Sequence, residues 1–167
     1  MAIRKLLPVL TDFLIEKDFI WHVTANFNRT TNFAAGRDKL KTWASFVDRK
    51  LHGRRYYLKP AQDRLFFVAT PELGTCGDNL HYHLLVRVPS ASKANFKLVA
   101  EPIWQSLVKC GSLYVQEIGD SFSDQQRVIS YDLKDLSHRD NYAHMIFSTE
   151  FSPLDVATNN NIQGDAA

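Results

Sequence analysis

The chain predicts an α+β domain: a central antiparallel sheet of about five strands flanked by helices. Three observations carry this. Runs rich in aromatic and β-branched residues alternate with stretches whose apolar residues recur at helical spacing. Two of the strand-like runs, 65–70 and 80–88, stand on either side of a turn-forming segment and read as a hairpin, which demands antiparallel pairing. A length of 167 residues with 45% hydrophobic content builds one core and leaves little room for a second. This order of elements favours an antiparallel or mixed sheet with helices packed on one face.

Leu6 to Lys17 reads as a short helix with Pro8 in its first turn, where a missing N–H costs nothing. Phe19 to Phe27 is a strand, carried by Phe19, Ile20, Trp21, Val23 and Thr24. From Ala34 to Leu51, the spacing of Leu40, Trp43, Ala44, Val47 and Leu51 predicts a helix that Gly53 ends. Leu65 to Thr70 and Leu80 to Val88 form the hairpin around Gly74–Asn79, and Pro89 stops its second strand. Lys93 to Lys109 is helical, with Pro102 bending it or splitting off its first turn. Leu113 to Ile118 is a strand. Ser123 is the expected N-cap of a helix running through Val128 and Tyr131 towards Leu136, and Tyr142 to Phe147 is a last strand. Residues 1–150 are read as the folded domain, and 151–167 as a polar tail, Asn-rich from Thr158 and expected to be disordered.

The formal net charge of +2 says little about partners, but its distribution says more. Arg29, Arg37, Lys39, Lys41, Arg49, Lys50, Arg54, Arg55, Lys59 and Arg64 are opposed only by Asp38, Asp48 and Asp63. Such a segment is either a solvated helix face or a surface that meets phosphates. Cys76 and Cys110 have no metal-type spacing and suit a reducing compartment. Asp12 interrupts the early apolar stretch too soon for a signal peptide, and no run approaches transmembrane length. A cytoplasmic location is expected, nuclear in a eukaryotic host.

Two signals carry chemistry. His81 and His83 lie two apart on a strand, so both imidazoles project from one face while Tyr82, Leu84, Val86 and Val88 face the core. Glu72 ends the preceding strand, and the hairpin brings it back beside His81. Two imidazoles and a carboxylate leave coordination positions open for water and substrate, without deciding among zinc, manganese and magnesium. Alone, each is an ordinary surface residue. Tyr131 and Lys134, three apart, share a helix face. A free phenol has a pKa of about 10, so it needs a nearby cation to act as a nucleophile near neutrality. Attack on a phosphodiester would then give a covalent phosphotyrosine.

In chain order the segments are Trp21-His22-Val23-Thr24-Ala25-Asn26, then Glu72 with His81-Tyr82-His83, then Tyr131-Asp132-Leu133-Lys134. This layout resembles the HUH endonucleases, particularly the replication-initiator nicking domains of small circular single-stranded DNA viruses and rolling-circle plasmids. The resemblance covers residues 19–147 and implies an antiparallel sheet flanked by helices, related to the RNA-recognition and ferredoxin-like folds. It implies that His81, His83 and Glu72 hold magnesium or manganese, that Tyr131 takes the 5′ phosphate and releases a 3′ hydroxyl, and that Lys134 positions the scissile phosphate. The partners implied are single-stranded DNA at an origin or hairpin, host replication proteins, and a separate helicase. The chain has no Gly-Lys-Ser/Thr phosphate loop, so if it is complete, unwinding is expected to come from a partner. The first motif, around Thr24 and Asn26, matches only loosely.

Single-tyrosine transposases share the H-x-H strand and helical tyrosine, but have a glutamine where Asp135 stands here. A non-catalytic nucleic-acid-binding domain and a zinc-dependent hydrolase are the readings from other classes. His22 lies on the first-motif strand and could approach the substrate, though it reads better as a structural histidine, and His138 and His144 flank a turn. Trp21, Trp43 and Trp104 read as core, with Phe27 and Tyr56 as candidates for stacking on unpaired bases.

Overall fold

The structure is a computed structural model that describes residues 2–74, 79–134, 136 and 141–151. The turn residues Thr75 to Asp78, with Cys76, lie outside that range, as do Asp135, His138 and the tail from Ser152. The expectations made for them lie outside it too.

Helices α1 (Ala2–Ile15), α2 (Phe33–His52), α3 (Lys93–Leu107) and α4 (Phe122–Leu133) surround one sheet. The sheet comprises β1 (Trp21–Asn26), β2 (Phe66–Leu73), β3 (Leu80–Arg87), β4 (Ser112–Glu117) and β5 (Ile146–Phe147). Its order is β4-β1-β3-β2-β5, and every pairing is antiparallel. The run β1-α2-β2-β3-α3-β4 with order β4-β1-β3-β2 is the split βαβ arrangement of ferredoxin-like units. The α+β antiparallel sheet flanked by helices is therefore present.

The helices do not all pack on one face, as the order of elements had suggested. Alternation places Trp21, Val23, Ala25, Phe67, Ala69, Tyr82, Leu84 and Val86 in a large core under α2 and α3, sealed by Trp43, Phe96 and Trp104. On the other face Val68 and Leu85 join Leu14, Phe19, Ile129 and Leu133 in a smaller core under α1 and α4. Both faces of β2 and β3 are apolar at this end of the sheet, so each needs cover. At the other end of β3 that second face turns polar, and the site lies there.

Local chemistry shifted several boundaries. Helix α1 begins at Ala2, so Pro8 sits inside it rather than in its first turn. Asn32 caps α2, its Oδ1 accepting the Ala35 N–H at 2.8 Å, and Gly53 closes α2 with φ +85°, which a side chain would resist. Pro102 is held within one continuous α3. Ser121, not Ser123, caps α4: its Oγ accepts the Asp124 N–H at 3.1 Å. The segment before β5 is a 3-10 turn, Asn141–His144, and only Ile146 and Phe147 extend, against Ala69 and Val68. Beyond that short pairing β2 is an edge among the described residues, so Pro71 is tolerated without an N–H to donate. A 3-10 turn, Ser148–Phe151, brings Phe151 onto Phe67 at 6.1 Å, so packing runs through residue 151.

Candidate metal centre

β3 is bracketed by β1 and β2, and its register sets the centre. His83 stands opposite Thr24 on one side and Thr70 on the other; His81 stands opposite Asn26 and Glu72. All six are on the α4 side of the sheet, because Tyr82 and Leu84 between them are fully buried on the α2 side. Glu72 lies within β2, one residue from its end.

One oxygen is the hub. Glu72 Oε2 is 2.8 Å from His83 Nε2, 3.5 Å from His81 Nε2 and 3.7 Å from Lys134 Nζ. Glu72, His81 and His83 each offer a ligand atom within 4.8 Å of the others. Partial burial would push the Glu72 carboxyl up, but the His83 hydrogen bond and the charges of His81, His83 and Lys134 hold it below its usual range. Burial holds His83 below the usual histidine range, against the pull of Asp132 and Glu72. An ionised carboxylate and a neutral imidazole are the protonation states a metal ion needs, so the donors fit a divalent cation. On the opposite edge of the ring, His83 Nδ1 lies 3.3 Å from Thr24 Oγ1.

Helix α4 delivers the phenol. Ile129 and Leu133 are buried in the smaller core, which turns Tyr131 out over the polar end of the sheet, 47% exposed. Its ring meets His83 edge-on at 5.4 Å and His22 at 6.2 Å. Lys134 Nζ sits 3.8 Å from the centre of that ring. The five residues singled out from sequence, Glu72, His81, His83, Tyr131 and Lys134, are thus brought together from β2, β3 and the end of α4.

Sequence reasoning missed two members. His22, read as structural, stacks on His83 with centroids 5.5 Å apart, and its Nε2 is 2.9 Å from Asp132 Oδ1. Asp132 has a side chain only 1% exposed. The signal for Asp132 was a carboxylate among the apolar positions of α4, between Ile129 and Leu133. Tyr114, opposite Thr24 on the same sheet face and 61% exposed, is also a better stacking surface than either aromatic proposed. Phe27 is 1% exposed in the large core, and Tyr56 is engaged with Ser45 at 2.8 Å. Helix α2, which carries much of the basic segment, packs across the sheet from the metal centre. The tryptophans are core residues, as read. His144 stacks on Phe33 at 3.7 Å.

Compared with known protein families, curated proteins and solved structures, the chain matches none. No described helix is long and apolar enough to cross a membrane.

Proposed function

We propose that this chain is a metal-dependent endonuclease that nicks and rejoins single-stranded DNA through Tyr131, in the manner of a rolling-circle replication initiator. The observation that carries the reading is the meeting of a half-exposed phenol and an ammonium with two imidazoles and a carboxylate on one sheet face. The substrate class comes from the resemblance of the three motifs to HUH endonucleases.

In the proposed reaction Tyr131 gives up its phenolic proton, its oxygen attacks the scissile phosphorus and the bond to the 3′ oxygen breaks. The phosphate is left on the tyrosine at the 5′ side, and the departing oxygen takes up a proton to become a 3′ hydroxyl. One phosphoester replaces another, so the reverse attack by a 3′ hydroxyl restores the strand without ATP. Glu72, His81 and His83 would hold magnesium or manganese, which when bound supplies Lewis-acid stabilisation of the phosphate oxygens. Lys134 adds a positive charge beside the phenol, suited to a nonbridging phosphate oxygen. A helicase and host replication proteins would supply unwinding and synthesis.

The test is a labelled single-stranded oligonucleotide incubated with the protein and manganese, then run under denaturing conditions. A protein–DNA conjugate should form, and chelation or Tyr131→Phe should each abolish it while the variant stays folded and binds DNA. Cleavage with no conjugate in the parent would favour a hydrolase. Nicking that survives in Tyr131→Phe would pass the nucleophile role to another group. Absence of both, with salt-sensitive binding retained, would leave a binding domain using the exposed basic residues Arg49, Lys50, Arg54 and Arg55.

A further inference from the structure

A buried carboxylate oxygen should have a partner. Asp132 is 1% exposed, and His22 Nε2, at 2.9 Å, satisfies only Oδ1. The other oxygen, Oδ2, has no hydrogen-bond partner among the described residues. Leaving such an oxygen bare is costly, more so if it is charged. The cost is unusual beside a carboxylate that is shared out as fully as Glu72 is. Hydrophobic neighbours do not explain Asp132 either, since an apolar residue would serve the core under α4 better. The surroundings are rich in lone pairs instead: one ligand atom each from His22, His83 and Asp132 lie within 4.8 Å of one another.

We infer that His22 and Asp132, with His83 shared, form a second divalent-cation position next to the one built on Glu72, His81 and His83. Two imidazoles and a carboxylate suit manganese, zinc or cobalt, and a cation there would place positive charge beside the buried, half-satisfied Asp132 carboxylate. The His22 and His83 rings lie side by side, with centroids 5.5 Å apart and 8° between planes. A neutral imidazole offers one lone pair, so His83 serves one ion at a time: once it is committed to the ion of Glu72 and His81, the second position keeps His22 and Asp132 and binds more weakly than the first. The Tyr131 ring meets both His22 and His83 edge-on. A cation there would add to the charge that favours a phenolate. The position depends on the proposed endonuclease activity only through the shared ligand His83, and its test needs no DNA.

The experiment titrates manganese into the full chain, with free ion followed by electron paramagnetic resonance and bound ion by equilibrium dialysis. Two classes of binding are expected in the parent. Asp132→Asn and His22→Gln should each remove the weaker class and leave the tighter one, whereas Glu72→Gln should weaken the tighter class and spare the weaker. Circular dichroism checks each fold, and His22, 15% exposed, is the substitution least apt to disturb packing should Asp132→Asn unfold. A single class untouched by both Asp132→Asn and His22→Gln overturns the inference. So does a single class lost equally in Glu72→Gln, which would mean one ion shared by all five residues of the two sets, and so does no binding at all. A single class lost in Asp132→Asn but kept in Glu72→Gln supports this position and removes the ligand set of the proposed endonuclease instead.

Discussion

Replacing Asp48 with Asn should make the protein more stable at neutral pH. Asp48 is 7% exposed on the sheet-facing side of α2, where its Oδ1 accepts the Leu65 N–H at 2.8 Å. Burial raises its carboxyl from 3.8 to about 6, against the Leu65 hydrogen bond and the Arg64 charge, which both lower it. A folded-state pKa above the unfolded value means that the folded chain holds the proton more tightly. The stability this adds is fully present below pH 3.8 and is lost as pH rises through about 6. At about 1.4 kcal/mol per pH unit, the gap amounts to roughly 3 kcal/mol as an upper bound. Asn keeps the acceptor oxygen and cannot ionise. For a chain of this length that corresponds to a melting temperature at pH 7 raised by about 6–12 °C at most. His52, with Nε2 3.6 Å from Asp48, has the opposite sign: burial and Lys59 lower its pKa, so its contribution is present above pH 6.5 and lost as pH falls. The quantity to measure is therefore the difference between variant and parent, from thermal melts followed by circular dichroism at pH 4, 5, 6 and 7. It should grow from pH 4 to pH 7. Parallel profiles, or a variant less stable at pH 7, would refute the reasoning.

Gly111→Ala should destabilise the fold by about 1–3 kcal/mol in denaturant titrations. A Cβ there would meet the Asn26 carbonyl oxygen at 2.6 Å and Trp104 Nε1 at 2.9 Å, and those two groups are themselves hydrogen-bonded. His83→Ala should lower manganese affinity more than His81→Ala in the same titration, because His83 makes the shorter contact with Glu72 and is the more buried. Equal losses would contradict that ranking. Tyr114→Ala should weaken binding of single-stranded oligonucleotide by roughly 1–3 kcal/mol if its exposed ring stacks a base. Fluorescence anisotropy would read this, and unchanged affinity would take Tyr114 off the DNA path.

The core of the fold was legible because it depends on patterns a few residues long. The alternation of β3 separates His81 and His83 from Tyr82, Leu84 and Val86 without reference to any other segment. The i, i+3 spacing of Tyr131 and Lys134 is equally local. Glu72 was reachable because a hairpin folds back on itself, and the register of β2 against β3 puts it opposite His81. Errors came where a neighbour distant in sequence decides. Tyr142 to His144 looked extended but curls, because His144 stacks on Phe33 far away in α2. Phe27 looked free to stack bases but is packed against Trp104 and Tyr82.

Residue order alone settled the sheet-and-helix class, which strand faces are apolar, and which side chains of β3 and α4 point the same way, because side-chain direction follows backbone periodicity within one element. The number of helical layers, the partnership of His22 with Asp132 and the meeting of α4 with the polar end of β3 needed the folded chain. His22 and Asp132 are 110 residues apart, and no local rule links them. They meet because β1 pairs with β3 while Ile129 and Leu133 seat α4 on Val68 and Leu85. Burial of two distant apolar surfaces, not any property of the polar residues themselves, brings the site together.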